Sequence, residues 1–596
     1  MKNATSVLVL MLAVLCLNLS NAASVRPIIQ VGTTTKLTTQ INLTSRQPDI
    51  VVTAGPVSGR GDFNGDGVDD LLESVTPPLL DMTGGGIIFG GKNIDSSSGT
   101  ISFGRPDLFI APKSFSFTMP RFVGITSLND LNGDGIDEIA AHVFNVNAPD
   151  GRMAQAEYVY FGSPSLVPGE IDLREWTPDL KLFNTSSGNL RILFSFLIAD
   201  INGDGANDLI STGVLLAQGL NLIHIVLGPF ASGSVIDLQT RAPDIVITGN
   251  TSAFSGVMAA DVNGDGISDL LIGRPVDRRV DIVAGSTELR AGTEISLVQG
   301  GASTVIDGFP GRFPSLGTGD VNGDGIYDIM IGNASRLAAD GSTDVEFAGE
   351  VYVVFGSRSL AGRSVSISDG QQDVTIRGAA GGSGSSVQGD NFGLEVFSLD
   401  LNGDGISDIL VHAPHGEGPR NRFRDSGAAY VILGSRGLKS GTTLDVGRDE
   451  QDVKMFIEEQ DAFLNLADGG TFDINGDGYS DIGFTIYRPR IPPPPPDSFY
   501  FDTLNVILGG PVTPPEITKA KFQSDSSELI ISGDNFNGAM QVEINGVLLD
   551  RKASYEPSTG RLRVEGKKGQ LNLHSGKNKL TVIRRGSRSN TVKVKA

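Results

Sequence analysis

The sequence predicts an all-β fold, in which a seven-bladed β-propeller closed by an N-terminal strand is followed by a smaller β-sandwich. Three observations support this prediction. One acidic nine-residue loop occurs seven times, short strand-like segments flank every copy, and the 596-residue chain has 77 glycines but only 7% aromatic residues. Glycine is typical of tight turns between short strands, and no long amphipathic stretch of helical period stands out.

The acidic loops recur at a nearly regular spacing. They begin at residues 62, 130, 200, 261, 320, 400 and 473, so that six intervals span 411 residues, or about 68 residues each. A repeat of this length indicates an array, a solenoid or a propeller, because one unit cannot bury its own apolar faces.

Each unit contains four strand-like segments. One enters the loop, one leaves it, a third ends in glycine, and a fourth begins with Pro-Asp or Gln-Asp in six of seven copies. A fourth-type segment at 48–52 precedes the first loop, and none follows the last glycine-ended strand at 504–509. The N-terminal segment can therefore complete the last unit, and a ring closed in this way leaves few exposed sheet edges.

The loop pattern is that of a site for a hard cation. Side-chain oxygens occur at positions 1, 3, 5 and 9, position 7 can add its backbone carbonyl, and glycines at positions 4 and 6 permit tight turns. Several oxygen ligands on a flexible frame suit Ca2+, whereas zinc and copper favour sulfur or imidazole. The sequence therefore predicts up to seven Ca2+ ions. The predicted side-chain ligands are Asp62, Asn64, Asp66, Asp70, Asp130, Asn132, Asp134, Glu138, Asp200, Asn202, Asp204, Asp208, Asp261, Asn263, Asp265, Asp269, Asp320, Asn322, Asp324, Asp328, Asp400, Asn402, Asp404, Asp408, Asp473, Asn475, Asp477 and Asp481. The predicted carbonyl ligands are Val68, Ile136, Ala206, Ile267, Ile326, Ile406 and Tyr479.

Two other interpretations of the first loop are weaker. An EF-hand needs a glutamate at position 12, which is present as Glu73 in the first loop and absent from the other six, and strand-like sequence follows each loop. The tripeptide Arg60-Gly61-Asp62 matches an adhesion motif, but its aspartate is position 1 of the loop. We expect that carboxylate to face the cation and not a receptor.

The repeat resembles a known family. Residues 389–434 read GDNFGLEVFSLDLNGDGISDILVHAP, then a loop, then GAAYVILG. This segment resembles the FG-GAP repeat of integrin α-subunits and of related bacterial secreted proteins, and the same pattern extends over about 48–509. The resemblance implies a seven-bladed propeller over 23–511 with calcium between the first two strands of a blade. In integrins only some blades carry the cation, whereas all seven loops are intact here.

The C-terminal segment 512–596 has a different composition. From Pro514 onward it contains 15 Lys and Arg against 8 Asp and Glu, a net charge of +7. Short alternating strands and turn signals at 535–538 and 545–546 predict an immunoglobulin-like β-sandwich. The sequences ISGDNF and the closing SN resemble the IPT/TIG domain.

The N-terminus predicts export. Lys2, an apolar run at 7–17 and the small residues Ser20 and Ala22 indicate a signal peptide over 1–22, and the run is too short to span a bilayer. We expect a secreted, extracellular or surface-held protein without a membrane span. The single cysteine, Cys16, lies in the signal peptide, so bound cations would brace the loops in place of disulfides.

The charge distribution argues against nucleic acid as a partner. The whole chain carries −22, which leaves about −29 before Pro514, and phosphate recognition needs the opposite sign. Seven loops supply 21 negative charges, and seven divalent cations would bring the net charge from −22 to about −8. A cation-free form should therefore repel itself strongly.

These features predict a non-enzymatic scaffold that binds an extracellular protein or polysaccharide. If the loops occupy one rim, we expect the opposite rim to hold an exposed cationic and aromatic cluster, Arg420, Arg422, Phe423 and Arg424, as a candidate ligand surface. One alternative is a secreted enzyme, a glycan lyase or a phospholipase-like hydrolase, with its site at the propeller mouth; no GxSxG, HExxH or P-loop motif supports it. Another alternative is a structural component of the cell envelope.

Overall fold

The structure is a computed structural model of the 596-residue chain. It describes residues 28–30, 40–44, 49–52, 57–75, 84–91, 100–102, 107–110, 121–185, 190–215, 219–238, 243–250, 254, 256–309, 314–334, 348–379, 389–416, 426–459, 462–488, 504–510, 516–534, 540–549, 553–556, 561–584 and 587–595. The predicted signal peptide and the predicted cluster Arg420, Arg422, Phe423 and Arg424 lie outside the described residues.

The described part of the chain is all-β, as predicted. Its regular structure consists of strands, apart from two single-turn 3-10 helices at Leu297–Gln299 and Val446–Arg448. Several sheets have five strands, and this arrangement is consistent with a propeller-like β fold.

Acidic loops join the first and second strands of seven sheets, which we number with their loops. Sheet 1 contains Val57–Gly61, Asp70–Val75, Gly84–Ile88, Leu108–Ile110 and Gly169–Ile171. Sheet 2 contains Arg121–Leu128, Glu138–Asn147, Met153–Tyr160, Leu180–Thr185 and Ser234–Asp237. Sheet 3 contains Leu190–Ala199, Asp208–Leu215, Leu220–Val226, Ile245–Thr248 and Thr293–Ser296. Sheet 4 contains Gly256–Ala260, Asp269–Arg274, Arg279–Val283, Thr304–Asp307 and Ser364–Ser366.

Of the remaining three loop-bearing sheets, sheets 6 and 7 include segments from the N-terminal part of the chain. Sheet 5 contains Pro314–Gly319, Asp328–Asn333, Glu350–Val354, Val374–Arg377 and Thr442–Asp445. Sheet 6 contains Glu395–Leu399, Asp408–Ala413, Ala428–Ile432, Val453–Phe456 and Gln40–Asn42. Sheet 7 contains Phe463–Phe472, Asp481–Tyr487, Leu504–Ile507 and Ile50–Val52. A separate two-stranded sheet pairs Ile28–Gln30 with Thr100–Ser102.

Six of these sheets have a fifth, outer strand, which differs from the predicted four strands per unit. The fifth strand runs parallel to the fourth and comes from the following unit, as Ser234–Asp237 does beside Leu180–Thr185. In sheet 6 the corresponding strand is Gln40–Asn42, which pairs with Val453–Phe456. These outer strands have three or four residues, so they lack the apolar run that reveals a strand in a sequence.

Seven hydrophobic clusters connect the loop-bearing sheets. Between sheets 1 and 2, for example, Leu72 and Ile87 belong to the same cluster as Ile125. The cluster that contains Leu71 of sheet 1 also contains Phe472 of sheet 7. The clusters therefore lead from each sheet to the next and from sheet 7 back to sheet 1.

An acidic side chain before the fourth strand ties that strand to the third. In sheet 5, Oδ2 of Asp373 accepts the N–H of Phe355 at 2.8 Å. In sheet 7, Oδ2 of Asp49 accepts the N–H of Leu508 at 3.1 Å, across 459 residues of sequence. The Pro-Asp and Gln-Asp signals of the sequence thus mark a capping side chain as well as the start of a strand.

The C-terminal part forms two sheets around one core. The first contains Glu516–Gln523, Glu528–Asp534, Arg561–Glu565 and Ser554–Glu556. The second contains Val547–Leu548, Gln541–Ile544, Lys577–Arg584, Ser587–Arg588 and Val592–Lys595. Leu529 and Leu562 of the first sheet share a cluster with Val542, Leu580 and Val594 of the second.

Candidate metal-binding loops

The backbone of each acidic loop coils tightly because of its two glycines. At positions 4 and 6 the glycine φ angles lie between 67° and 89° in all seven loops, in the left-handed region that side chains avoid. This conformation turns successive backbone N–H groups towards the side chain at position 1.

The position-1 carboxylate organises the loop. In loop 1, Oδ1 of Asp62 accepts the N–H groups of Gly65 and Asp66 at 2.7 and 3.1 Å, and Oδ2 accepts that of Gly67 at 2.7 Å. The same carboxylate is part of the Arg-Gly-Asp sequence, and Arg60 donates from Nη1 to Oγ1 of Thr471 at 2.9 Å. Both charged ends of the tripeptide therefore have partners within the molecule.

Positions 3 and 5 form consecutive Asx turns. Oδ1 of Asn64 accepts the N–H of Asp66 at 2.9 Å, and Oδ1 of Asp66 accepts the N–H of Val68 at 3.0 Å. Such bonds are local and need no partner from elsewhere in the chain. They hold the predicted ligands of positions 1, 3 and 5 along one short, partly exposed segment.

The position-9 carboxylate lies beneath the loop in the sheet. Asp70 is completely buried; its Oδ2 accepts the N–H of Phe63 at 3.0 Å, and its Oδ1 accepts the N–H of Gly90 at 2.8 Å. Five other loops repeat the second bond, with Gly228, Gly285, Gly356, Gly434 and Gly509 as donors. Position 9 therefore joins the start of its loop to the end of the third strand, a role that the loop pattern alone did not reveal.

Loop 2 has glutamate at position 9 and differs in its bonding. Oε2 of Glu138 accepts the N–H of Leu131 at 2.6 Å, but Oε1 is buried and has no hydrogen-bond partner. An ionisable oxygen in this situation costs free energy unless it is protonated or meets a cation.

Burial makes the ionised form of position 9 unfavourable. It raises the pKa of Asp70 to about 8, opposed by the N–H bonds and assisted by the charges of Asp66 and Asp62. The same main cause raises the pKa of the equivalent groups, to about 8 for Glu138 and Asp481, about 7 for Asp328, about 6 for Asp208 and Asp269, and well above the usual value for Asp408. A cation near these oxygens would favour their ionised form.

The predicted ligands are neighbours, but their carboxylates are not drawn together. Among the described residues, no three Asp, Glu, His or Cys side chains form a group that could hold one metal ion. In loop 4 the side-chain amide of Asn263 connects positions 9 and 5. Its Nδ2 donates to Oδ1 of Asp269 at 2.9 Å, and its Oδ1 accepts the backbone N–H of Asp265 at 2.9 Å. In loop 5, Nδ2 of Asn322 donates to Oδ1 of Asp328 at 3.1 Å.

The donor chemistry of the loops fits Ca2+. Oxygen is the donor at every predicted position, and the orphaned oxygen of Glu138 marks a place that lacks positive charge. In loop 4, Oδ1 of Asn263 accepts the N–H of Asp265 and keeps a second lone pair, while its Nδ2 donates to Asp269. That oxygen is the group of Asn263 that would contact a bound cation.

The loops are connected to one another through position 8. The N–H of Asp137 donates to the carbonyl of Asp62 at 2.9 Å, and Oδ2 of Asp137 accepts the N–H of Asp62 at 3.1 Å. Each position-8 residue bonds to position 1 of the preceding loop, in the pairs Asp137 with Asp62, Asn207 with Asp130, Ser268 with Asp200, Tyr327 with Asp261, Ser407 with Asp320, Ser480 with Asp400, and Asp69 with Asp473. The series returns from loop 7 to loop 1, where the N–H of Asp473 donates to Oδ2 of Asp69 at 2.9 Å.

Position 8 is not among the ligands that the sequence predicts. Its residue type varies among Asp, Asn, Ser and Tyr, and in most pairs the backbone N–H makes the contact. The one available signal was spacing, since position 8 lies beside the predicted ligands at positions 7 and 9 in every copy.

No helix in the described ranges has the length and apolar character needed to cross a membrane. Within the same ranges, His412 bonds through Nδ1 to Oε2 of Glu395 at 2.8 Å and through Nε2 to the carbonyl of Leu464 at 2.7 Å. This histidine therefore links sheet 6 to sheet 7.

Comparison with known proteins finds partial relatives. The chain is 31% identical over 171 residues to the phosphatidylinositol-glycan-specific phospholipase D of Homo sapiens, covering 27% of this chain and 18% of that protein. It is 30% identical over 198 residues to integrin alpha-PS2 of Drosophila melanogaster, covering 30% of this chain and 13% of that protein. It is 30% identical over 173 residues to integrin alpha-IIb of Homo sapiens, covering 28% and 14%. No family model matches.

These similarities support an FG-GAP-like β-propeller. The chain spans about a quarter or less of the length of each of these relatives. Among solved structures, a fungal alcohol oxidase of the AA5 family in complex with copper aligns over 92% of this chain and 98% of its own, with a TM-score of 0.28 and 10% identity. That TM-score is too low to carry an argument about the fold.

Proposed function

We propose that this chain is a calcium-stabilised, seven-bladed β-propeller that serves as a non-enzymatic scaffold for an extracellular protein or polysaccharide. The observation that carries the proposal is the series of loop contacts that returns from Asp473 to Asp69. The pairing of Ile50–Val52 with Leu504–Ile507 supports closure by the N-terminal strand. The two C-terminal sheets around one core support an immunoglobulin-like, IPT/TIG-like domain over 512–596.

Calcium would hold the loops in shape. Positions 1, 3, 5 and 9 and the carbonyl of position 7 would bind it, and its charge would offset the repulsion among three carboxylates per loop. Since each loop is bonded to the next, ordering one loop would help to order its neighbours. The protein is proposed to be secreted after removal of 1–22, which places it where Ca2+ is abundant, and bound Ca2+ would brace the loops in place of disulfides.

A thermal melt with and without chelator tests the metal part. We expect EDTA to lower the melting temperature, Ca2+ to restore it, and Mg2+ to restore it poorly, because magnesium demands a stricter octahedral arrangement. Replacing Asp400 and Asp404 with Asn should weaken the response to Ca2+ by removing one loop, while an Asp525→Asn variant in the C-terminal part serves as the control. A melting temperature that chelation leaves unchanged would refute the proposal.

A glycan and matrix-protein array tests the ligand-binding part. The triple variant R420Q/R422Q/R424Q should lose binding to any ligand that the wild type retains on the array. The matched control R290Q/R358Q/R363Q removes the same charge from exposed arginines elsewhere in the propeller. Equal loss in both variants would show that net charge, and not the 420–424 cluster, governs binding.

A phospholipase-like enzyme is the second candidate, because several of the relatives are phospholipases D. The matched segment is 18% of the human protein, so the similarity does not assign catalysis to it. Incubation of the secreted protein with a phosphatidylinositol-glycan-anchored substrate would decide between the two. Release of the anchored protein, abolished by substitution of a carboxylate at the propeller mouth, would favour the enzyme over the scaffold.

A further inference from the structure

The second C-terminal sheet carries a regular array of lysines on its outer face. Lys577 lies directly opposite Lys595, and Lys579 lies directly opposite Lys593, on neighbouring antiparallel strands. All four lysines are exposed, whereas Asn578 alternates with them and is buried. The four side chains therefore project from one face of a rigid sheet.

This arrangement is unfavourable for the isolated protein. Like charges directly opposite each other destabilise a pair of strands. No ion pair recorded among the described residues involves any of these lysines, although Arg563 on the first C-terminal sheet pairs with both Glu528 and Glu556. Sequence and fold thus place four lysines side by side on a surface where charges of both signs are usually interspersed.

We propose that this lysine face binds a linear anionic polysaccharide. Opposite residues on antiparallel strands have Cβ atoms about 5 Å apart, and alternate residues along a strand are about 7 Å apart. Two rows of cations at this spacing can follow a chain that carries carboxylate or sulfate groups along its length. This site is separate from the propeller rim and does not depend on the proposed calcium loops.

The chemistry of the face favours a polyanion over other ligands. No aromatic side chain occurs among Lys577–Arg584 or Val592–Lys595, so the face lacks the stacking surface that neutral sugars use. Lysine itself is depleted at protein interfaces, where tryptophan, tyrosine and arginine supply most of the binding energy. The charge of +7 from Pro514 onward, against −29 before it, confines a polyanion to the C-terminal part.

Binding of the full-length protein to heparin and to polygalacturonate, with uncharged dextran as the reference, tests the proposal. Binding should release the counterions of about four neutralised charges. By analogy with nucleic acids, where each charge contributes about 0.7–0.9, the logarithm of the binding constant should fall with the logarithm of the salt concentration with a slope of about −3. The variant K577Q/K579Q/K593Q/K595Q should bind at least tenfold more weakly with a slope near zero. Arginine at the same four positions should restore binding.

The matched control is K519Q/K521Q/K567Q/K568Q, which removes four other exposed lysines of the C-terminal part. It should retain binding, and circular dichroism should show that both quadruple variants fold. The proposal fails if neither polysaccharide binds, if both variants lose binding equally, or if the lysine face acts only on anionic vesicles or in self-association measured by sedimentation. Such a failure would leave the chelation melt and the rim array unaffected, so the two proposals are separable.

Discussion

Removal of the Asp49 carboxylate should loosen the junction between the two ends of the propeller. Asp49 is 3% exposed, and its Oδ2 accepts the N–H of Leu508 at 3.1 Å. In Asp49→Ala this buried N–H loses a charged acceptor, a change that costs about 1.5–3 kcal/mol. Because 1.4 kcal/mol is a factor of ten, hydrogen exchange near Leu508 should speed up by about ten- to a hundredfold if local opening governs it.

Hydrogen exchange read by mass spectrometry on the peptide that covers 504–510 measures this effect. Asp373→Ala is the matched control, because Asp373 makes the same bond to Phe355 within a single unit. It should accelerate exchange near 350–356 and leave 504–510 unchanged. Asp49→Asn retains an acceptor oxygen and should have a smaller effect than Asp49→Ala.

One pattern of results would contradict closure of the ring by the N-terminal strand. If Asp373→Ala accelerates exchange in its own sheet while Asp49→Ala leaves exchange at 504–510 at the wild-type rate, the N-terminal strand does not complete sheet 7 in solution. The proposed closure of the ring would then be wrong, whatever the behaviour of the loops.

Two further predictions concern stability. Burial lowers the pKa of His224 to about 4. Below pH 6.5 the unfolded chain therefore binds a proton at this histidine that the folded chain does not bind. The free energy of unfolding should fall as the pH drops from about 6.5 to 4. At pH 5 this histidine should lower the free energy of unfolding by ~2 kcal/mol relative to neutral pH. Urea denaturation should show a smaller loss in His224→Gln, and equal pH dependence in the two proteins would contradict the prediction. Gly349→Ala should destabilise more than Gly151→Ala, since both have positive φ but a Cβ at 349 would overlap the backbone of Phe392 and one at 151 meets open space. We expect about 1–2 kcal/mol from the φ angle in each variant and about 1–3 kcal/mol more at 349, and equal melting temperatures would show that the close approach is absent.

The sequence by itself determined the strand-rich character of the chain and the position of every acidic loop. Both depend on local signals, namely the Gly-x-Gly spacing that permits left-handed turns and the short apolar runs that follow position 9. Such signals act within about ten residues, so they can be recognised without knowledge of the fold. The Ca2+ ligands predicted from the same pattern stay a prediction.

The tertiary structure decided which groups meet across long separations. Position 9 was predicted as a metal ligand from its oxygen, but its donors at the end of the third strand, such as Gly90 for Asp70, are 16–28 residues away. The residue type at position 8 gave no signal because a backbone N–H makes most of its contacts, and every residue except proline has one. The sequence did not predict the fifth strands. Each has only three or four residues, and these are stabilised by pairing with the neighbouring unit and not by their own composition. Local patterns fixed what each turn and strand could be, whereas the packing of one sheet on the next fixed their partners.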